Sequence, residues 1–456
     1  MSSTARDLAV LALCDRAGNV SAALDRLVGQ TPLGAADRAL AYELALGSLR
    51  RQRTLEIITH AFLHQPGKHL PRNLEAIVRA ALYQLLFLTR VPAFAAVDEA
   101  VRQAIDMQHK RQSGLVNAVL RTVLREMSDE TFGPCSPAAD VLPVSAGSYR
   151  RFSKPIFADP LSDPAGHLGQ VHSLPDELVQ RWLRNLGDSR QVQAVCAHSV
   201  ARPPMVLRVN RLRAGLDQVM AALGGQGHQA MAHSNGHNIV LVERAGVHDL
   251  AAFEQGLVQP QDATSTEVGL AVQAKPGMNV LDFCAAPGTK ATHLAELMDN
   301  RGRVAAVDVS SEKIQRISDN CRRLGISIVE PMLAEDLGRL ELGSFDRVLA
   351  DVPCSNTGVL ARRPEARWRF SVKALEQLAQ DQLRLGMAAA EYVKPGGLLV
   401  YSTCSLEPEE CSQVVADLTA RKPQMRLERE HLTLPAGVDD TACWRDGGYL
   451  ALLRRV

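Results

Sequence analysis

Residues Asn279–Ser310 read NVLDFCAAPGTKATHLAELMDNRGRVAAVDVS. The run around Val280-Leu281 has strand length, KATHLAELM repeats apolar residues at helical spacing, and Val304–Val307 is a second strand-length run. Between the first strand and the helix lie Cys284, Ala285, Ala286, Pro287, Gly288, Thr289 and Lys290. Small side chains there let the backbone approach a ligand, and the helix start points free N–H groups at it. Asp308 closes the second strand, 24 residues beyond Cys284, where a carboxylate accepts hydrogen bonds from two ribose hydroxyls. As a bare pattern this is half of a nucleoside-cofactor site, used alike for NAD, FAD and S-adenosylmethionine. The loop is not G-x-G-x-x-G, which makes a dinucleotide the weaker option.

Around this stretch, residues 262–456 alternate strand and helix, with DRVLADVPC and GGLLVYSTCS as further strands and SEKIQRISDNCRRLG as a further helix. That alternation predicts a parallel sheet with helices on both faces and ligands at the carboxyl ends of its strands. After the third strand, Asp336 is the first choice, and Glu335 the second, to bind an adenine amino group; a plain helix N-cap at Asp336 is the bland alternative. The fourth strand ends in Asp351-Val352-Pro353-Cys354-Ser355 and the fifth in Ser402-Thr403-Cys404-Ser405. One buried cysteine is usually an apolar filler. Two of them at strand ends on one sheet edge, one preceded by Asp-x-Pro, point to reactive thiols.

Upstream, residues 1–130 read as helix after helix, five to seven in all, with a mild excess of 16 Lys/Arg over 13 Asp/Glu up to residue 134. Residues 131–170 are rich in Pro, Ser, Gly and Asp without a sustained period and read as a linker, mobile in part. Residues 171–261 mix helices with the strands MVLRVN and NIVLVE, a small α+β subdomain. Across 150–213 there are ten Lys/Arg against five Asp/Glu, a basic side suited to RNA phosphates.

The 456 residues carry 51 Lys/Arg and 50 Asp/Glu, which excludes a polyelectrolyte tail but not local basic patches. Aromatic residues make up 4%, too few for a surface that works mainly by stacking many bases. No secretory leader pattern and no membrane span is read. Nine scattered cysteines show neither zinc spacing nor a disulfide framework, so a reduced, cytoplasmic, metal-free protein is expected.

Taken together, Cys284–Lys290, Asp351-Val352-Pro353-Cys354 and Thr403-Cys404-Ser405 resemble the RNA (cytosine-5) methyltransferases, whose segments read CAAPGGK, DAPCS and ATCS. The N-terminal helices, including Val116–Arg121, resemble NusB. That layout is similar to the RsmB branch, also called Sun or Fmu. The resemblance implies a multidomain chain: an all-α NusB-like RNA-binding domain, a small α+β RNA-binding subdomain, and a C-terminal Rossmann-like class I methyltransferase domain. It implies S-adenosyl-L-methionine as cofactor, small-subunit ribosomal RNA as partner, and a chain that works as a monomer. By similarity, Cys404 is the nucleophile that adds to carbon 6 of cytosine, which makes carbon 5 able to attack the methyl group. Cys354 assists release of the product, and Asp351 hydrogen-bonds or protonates N3 as general acid. Cys404 needs a neighbour, a helix dipole or a cationic sulfonium to raise its thiolate fraction. Beyond the aspartate motif, Arg362, Arg363 and Arg367 are candidates for phosphate contact and Trp368 for stacking on single-stranded RNA, with a packed indole among solvated arginines as the alternative. Thr289 stands where the family pattern has a second glycine, and its β-branch puts the loop's detailed geometry in question. Lys290 is retained, either to reach the Asp351 region or to cap the loop.

Three rivals are weaker. An exocyclic-amine methyltransferase would carry an aromatic after the Asp-x-Pro motif. A non-catalytic NusB-like assembly factor with a degenerate methyltransferase domain would have no use for Cys354 and Cys404. A redox pair would favour C-x-x-C.

Overall fold

The computed structural model describes residues 4–15, 19–63, 70–107, 109–242 and 246–456. It divides the chain into two units: one runs up to Arg202 and takes in Leu360–Arg369, and the other comprises 203–359 and 370–456.

The first unit opens with helices α1 (Ala5–Leu13), α2 (Val20–Gln30), α3 (Ala35–Arg50), α4 (Gln52–Phe62), α5 (Arg72–Phe87), α6 (Ala93–Asp106) and α7 (Ser113–Glu126). Thr4 and Asp7 form a reciprocal capping box that starts α1. Helix α5 is buried almost all round, so its LEAIVRAALYQLLF sequence shows little amphipathic striping. Its Tyr83 packs against Gly47 of α3, where a Cβ would lie 2.1 Å from the ring, and donates a 2.6 Å hydrogen bond to Glu43.

The segment read as a linker is folded. Strands β1 (Thr131–Phe132), β2 (Val141–Ser145) and β3 (Ser148–Arg151) pair antiparallel in the order β1-β3-β2. Leu142, Phe152 and Phe157 join the core of the helices. Strands of two to five residues are too short for alternation to register in sequence. Helices α8 (Pro164–Val171), α9 (Asp176–Asn185) and α10 (Ser189–Val200) complete this unit. The basic stretch from 150 is thus shared between two units, and part of it is structural: Arg208 is 1% exposed and donates to Glu296 at 2.7 Å.

The second unit begins with β4 (Met205–Val209), α11 (Leu216–Gly225), β5 (Ala230–Ala232), β6 (Asn238–Leu241), α12 (Ala251–Glu254) and β7 (Val258–Pro260). They form an antiparallel sheet in the order β5-β6-β4-β7. There follow α13 (Ala263–Ala271), β8 (Asn279–Asp282), α14 (Thr289–Leu297), β9 (Arg303–Asp308), α15 (Ser311–Leu324), β10 (Val329–Leu333) and β11 (Phe345–Asp351). After the excursion through the short helix α16 (Ala366–Arg369) come α17 (Val372–Tyr392), β12 (Val393–Thr403), α18 (Ser412–Arg421), β13 (Met425–Thr433) and β14 (Gly448–Arg455). The sheet order is β10-β9-β8-β11-β12-β14-β13. Strands β8 to β12 are parallel as expected, and β14 runs antiparallel to both β12 and β13, which makes the sheet mixed. The chain winds outward from β8 through β9 to β10 and returns beside β8 as β11. The crevice outside the carboxyl ends of β8 and β11 is therefore the topological switch point, where such sheets bind ligands. Among the described residues no helix is long and apolar enough to cross a membrane.

Candidate active site

Strand β8 delivers Asp282 to the switch point, and the loop from Phe283 to Gly288 turns the chain into α14. Gly288 supplies the one left-handed residue of that turn, at φ 92°. A Cβ on it would also crowd Ile317 at 3.1 Å. The demand for positive φ thus ends one residue before Thr289, which is the first residue of α14. A β-branched residue is tolerated in that place, so the departure from the family pattern leaves the loop intact.

Asp308, at the end of β9, ties this loop down. Its carboxylate accepts from Ala286 N–H (2.9 Å), from Val309 N–H (2.7 Å) and from the Lys313 ammonium (3.1 Å). A carboxylate has about four lone-pair sites, so a ribose diol would have to displace Lys313 to gain two bonds. Asp282 was not singled out in the sequence, although it carries the least satisfied acid of the site. It is 1% exposed, and among the described residues neither of its oxygens has a hydrogen-bond donor in good geometry. Burial first, and the nearby Asp351 second, push its pKa up to about 7, against the pull of Lys290. Only its burial reveals it, and burial is invisible in sequence. Burial and the same acids push the Cys284 thiol to about 12, which makes it a neutral packing group of the loop.

Strands β11 and β12 bring the chemistry-bearing residues beside this loop. Asp351 accepts a hydrogen bond from Lys290 Nζ (2.7 Å) and one from Ser402 Oγ (2.6 Å). Burial alone would lower the Lys290 pKa, but the Asp351 carboxylate outweighs it and holds the ammonium charged. The sulfurs of Cys354 and Cys404 lie 2.8 Å apart. Donation of its hydrogen bond to Cys404, followed by burial, holds the Cys354 thiol well above its ordinary range, so Cys354 keeps its proton. Asn356, at φ 63°, spans both: its Nδ2 donates to the Cys354 carbonyl (2.8 Å) and its Oδ1 lies 3.3 Å from Cys404 Sγ. As whole residues Cys354 and Cys404 are both partly exposed.

The remaining candidates are placed less centrally. Asp336 lies within the two-turn 3-10 helix Ala334–Arg339, which Leu333 caps, and it pairs with Arg339 at 3.1 Å. The N-cap alternative is thereby removed, and Glu335 is exposed. Arg362, Arg363, Arg367 and Trp368 belong to the first unit. Arg363 is exposed and the Trp368 side chain is 37% exposed, so the indole is not a core filler. Arg367 corrects the expectation of phosphate contact. It is 0% exposed and donates to the carbonyls of Arg50, Ser173, Ser199, Leu360 and Pro364. Its guanidinium clamps backbone instead of RNA, because these carbonyls converge on one buried point.

Residues 270–442 match the family model described as 16S rRNA methyltransferase RsmB/F, residues 3–125 match the NusB family, and residues 174–248 match the ferredoxin-like domain of RsmF/B-like methyltransferases. The chain is 34% identical to ribosomal RNA small subunit methyltransferase B of Klebsiella pneumoniae, over 86% of this chain and 83% of that one. It is 31% identical to the probable ribosomal RNA small subunit methyltransferase B of Bacillus subtilis, over 90% and 87% of the respective chains. A crystal structure of the protein PH0851 superimposes over 100% of both chains with a TM-score of 0.76 at 21% identity, a likeness of fold.

Proposed function

Because the chain belongs to the RsmB/F family of S-adenosylmethionine-dependent 16S rRNA methyltransferases, we propose that it methylates carbon 5 of a cytosine in small-subunit ribosomal RNA through a transient covalent adduct on Cys404. The observation that carries this reading is the Cys354–Cys404 sulfur pair, 2.8 Å apart beside the Lys290–Asp351 ion pair.

The residues of the loop fit the cofactor. The bare Gly288, the unsatisfied carboxyl of Asp282, the strand-end Asp308 and the acid at Asp336 would hold a cationic nucleoside. When bound, S-adenosylmethionine supplies an electrophilic methyl group on a sulfonium. The chain's own residues act on the base. With Cys354 keeping its proton, Cys404 is the sulfur that gives its proton up to water and adds as the thiolate to carbon 6. Negative charge then develops on the ring toward N3, where Asp351 is the positioned group. The carboxylate is ion-paired, so the proton that N3 takes comes from the Lys290 ammonium by way of Asp351 and returns when the adduct collapses. After carbon 5 is methylated it must lose its proton. That proton passes to water, Cys354 assists by donating its thiol hydrogen bond to the departing Cys404 sulfur, and elimination then frees Cys404.

The base has to leave its stack to reach these sulfurs, at a cost of a few kcal/mol unless it lies in a loop. Arg362, Arg363 and Trp368 are the residues proposed to receive the flanking RNA. The free state of all nine cysteines suits a reduced, cytoplasmic setting.

The test is incubation with labelled S-adenosylmethionine and unmodified ribosomal RNA, followed by mapping of 5-methylcytosine. Cys404→Ala should abolish transfer while RNA binding survives. Cys354→Ala should accumulate a protein–RNA adduct that withstands denaturation. Label on a base nitrogen, or full turnover by Cys404→Ala, would overturn the reading.

A further inference from the structure

We infer that Glu410 is the positioning residue that holds the turns bearing Cys354 and Cys404 together, an inference resting on the catalytic reading of those cysteines. Glu410 ends the short helix Pro408–Glu410 and is 0% exposed, and among the described residues no basic side chain is bonded to it. Its carboxylate is held instead by four neutral donors. Oε1 accepts from Ser355 N–H (2.8 Å) and Gln382 Nε2 (2.8 Å). Oε2 accepts from Ser405 Oγ (2.5 Å) and from the Ser355 hydroxyl. Ser355 follows Cys354 and Ser405 follows Cys404, so one carboxylate spans two turns that are 50 residues apart in sequence. Gln382, also 0% exposed, extends the clamp by donating to the Pro353 carbonyl at 2.8 Å. Tyr401 fixes the clamp itself, donating to the Glu410 carbonyl at 2.8 Å.

Burying a carboxylate away from any cation is costly unless its lone pairs are filled. Here all four sites are filled, and two of the donors' neighbours are the reactive sulfurs. The charge has a second effect. Together with the hydrogen bond to Cys404 and burial, the Glu410 carboxylate raises the Cys354 pKa, which keeps the proton on the sulfur that is not the nucleophile. The other titratable groups coupled to these sulfurs are Lys290, Tyr401 and Cys411.

Glu410→Gln keeps the shape of the side chain but removes the charge and turns one acceptor into a donor. The full-length variant is tested in two ways. Without RNA or cofactor, the rate of alkylation of each cysteine by iodoacetamide is followed by mass spectrometry from pH 6 to 9. Cys354 should react about tenfold faster than in wild type at pH 8, as the thiolate fraction rises when the negative neighbour is removed. In methyl transfer, kcat should fall by about tenfold to a hundredfold, as for a misplacement of roughly 1 Å, with KM for RNA within about twofold. A Glu410→Gln enzyme with wild-type kcat and an unchanged Cys354 alkylation profile overturns the assignment, as does a fall in kcat matched by an equal rise in KM. If Glu410→Gln does not fold, Ser405→Ala deletes one donor and leaves three. It should shift both measurements the same way by a smaller factor, and wild-type values in it overturn the assignment. The alkylation readout needs no nucleic acid, so it reports on Glu410 even if the methylated base proves not to be cytosine.

Discussion

Asp282 and Cys354 both have their protonated forms favoured, for different reasons. For Asp282 the cause is burial, reinforced by Asp351. Its folded pKa of about 7 lies above the ordinary 3.8, so its contribution to stability is complete below about pH 4 and is lost as pH rises through 7. Asp282→Asn, which cannot ionise, should therefore gain in thermal midpoint relative to wild type between pH 4 and 7 and hold a constant difference above. Parallel midpoint curves across that range would show that Asp282 does not titrate there. Asp308 carries the complementary expectation. Because it bonds both the Ala286 amide and the Val309 amide, Asp308→Ala should loosen the loop and raise the cofactor dissociation constant by about tenfold, the loss of one to two charge-assisted bonds. Calorimetry with S-adenosylhomocysteine measures it, and an unchanged constant removes Asp308 from the site.

The stretch Leu360–Arg369 shows how a short element can mix two tasks. Arg367 and Trp368 are adjacent, yet one is buried among carbonyls and the other is partly exposed. Arg367→Ala should destabilise the first unit by about 3 kcal/mol or more, since it leaves several buried carbonyls without a donor. Arg363→Ala with Trp368→Ala should leave the unfolding transition in place and weaken RNA binding several-fold. A denaturant titration beside a filter-binding assay separates the two, and the reverse pattern would return Arg367 to the RNA surface. A comparable internal role falls to Arg208 of β4. It is 1% exposed and bonded to Glu296 at 2.7 Å and to the Thr289 carbonyl at 2.8 Å, so it braces α14 instead of meeting phosphate.

Across the whole molecule, the residues proposed to hold the cofactor and those proposed to react all lie in the second unit, whereas the NusB-like helices lie in the first. Hydrogen exchange with and without saturating S-adenosylhomocysteine should thus slow at 282–290 and 308–313 and stay unchanged across α5 and α7. Protection confined to the first unit would relocate the site. Net charge of +1 means that RNA affinity depends on local patches and not on the chain's overall field. Binding should nonetheless weaken steadily with added salt as phosphate contacts release counterions.

Residue order alone carried the small-residue loop after β8, the acid 24 residues beyond it and both cysteine motifs, because these features are local: a strand end, a turn and a helix start are specified within a few residues. The alternation of strands and helices from 262 onward was equally legible. The antiparallel β13–β14 pair was not, since a C-terminal hairpin-like addition is decided by which sheet edge is open. Nor was the fold of residues 131–157, whose short strands are stable only against the helical core. Burial separated Arg367 from Trp368 and singled out Asp282. Convergence of two distant turns on one carboxylate revealed Glu410. Solvation and long-range hydrogen bonding belong to the assembled chain and leave no periodic trace in the order of its residues.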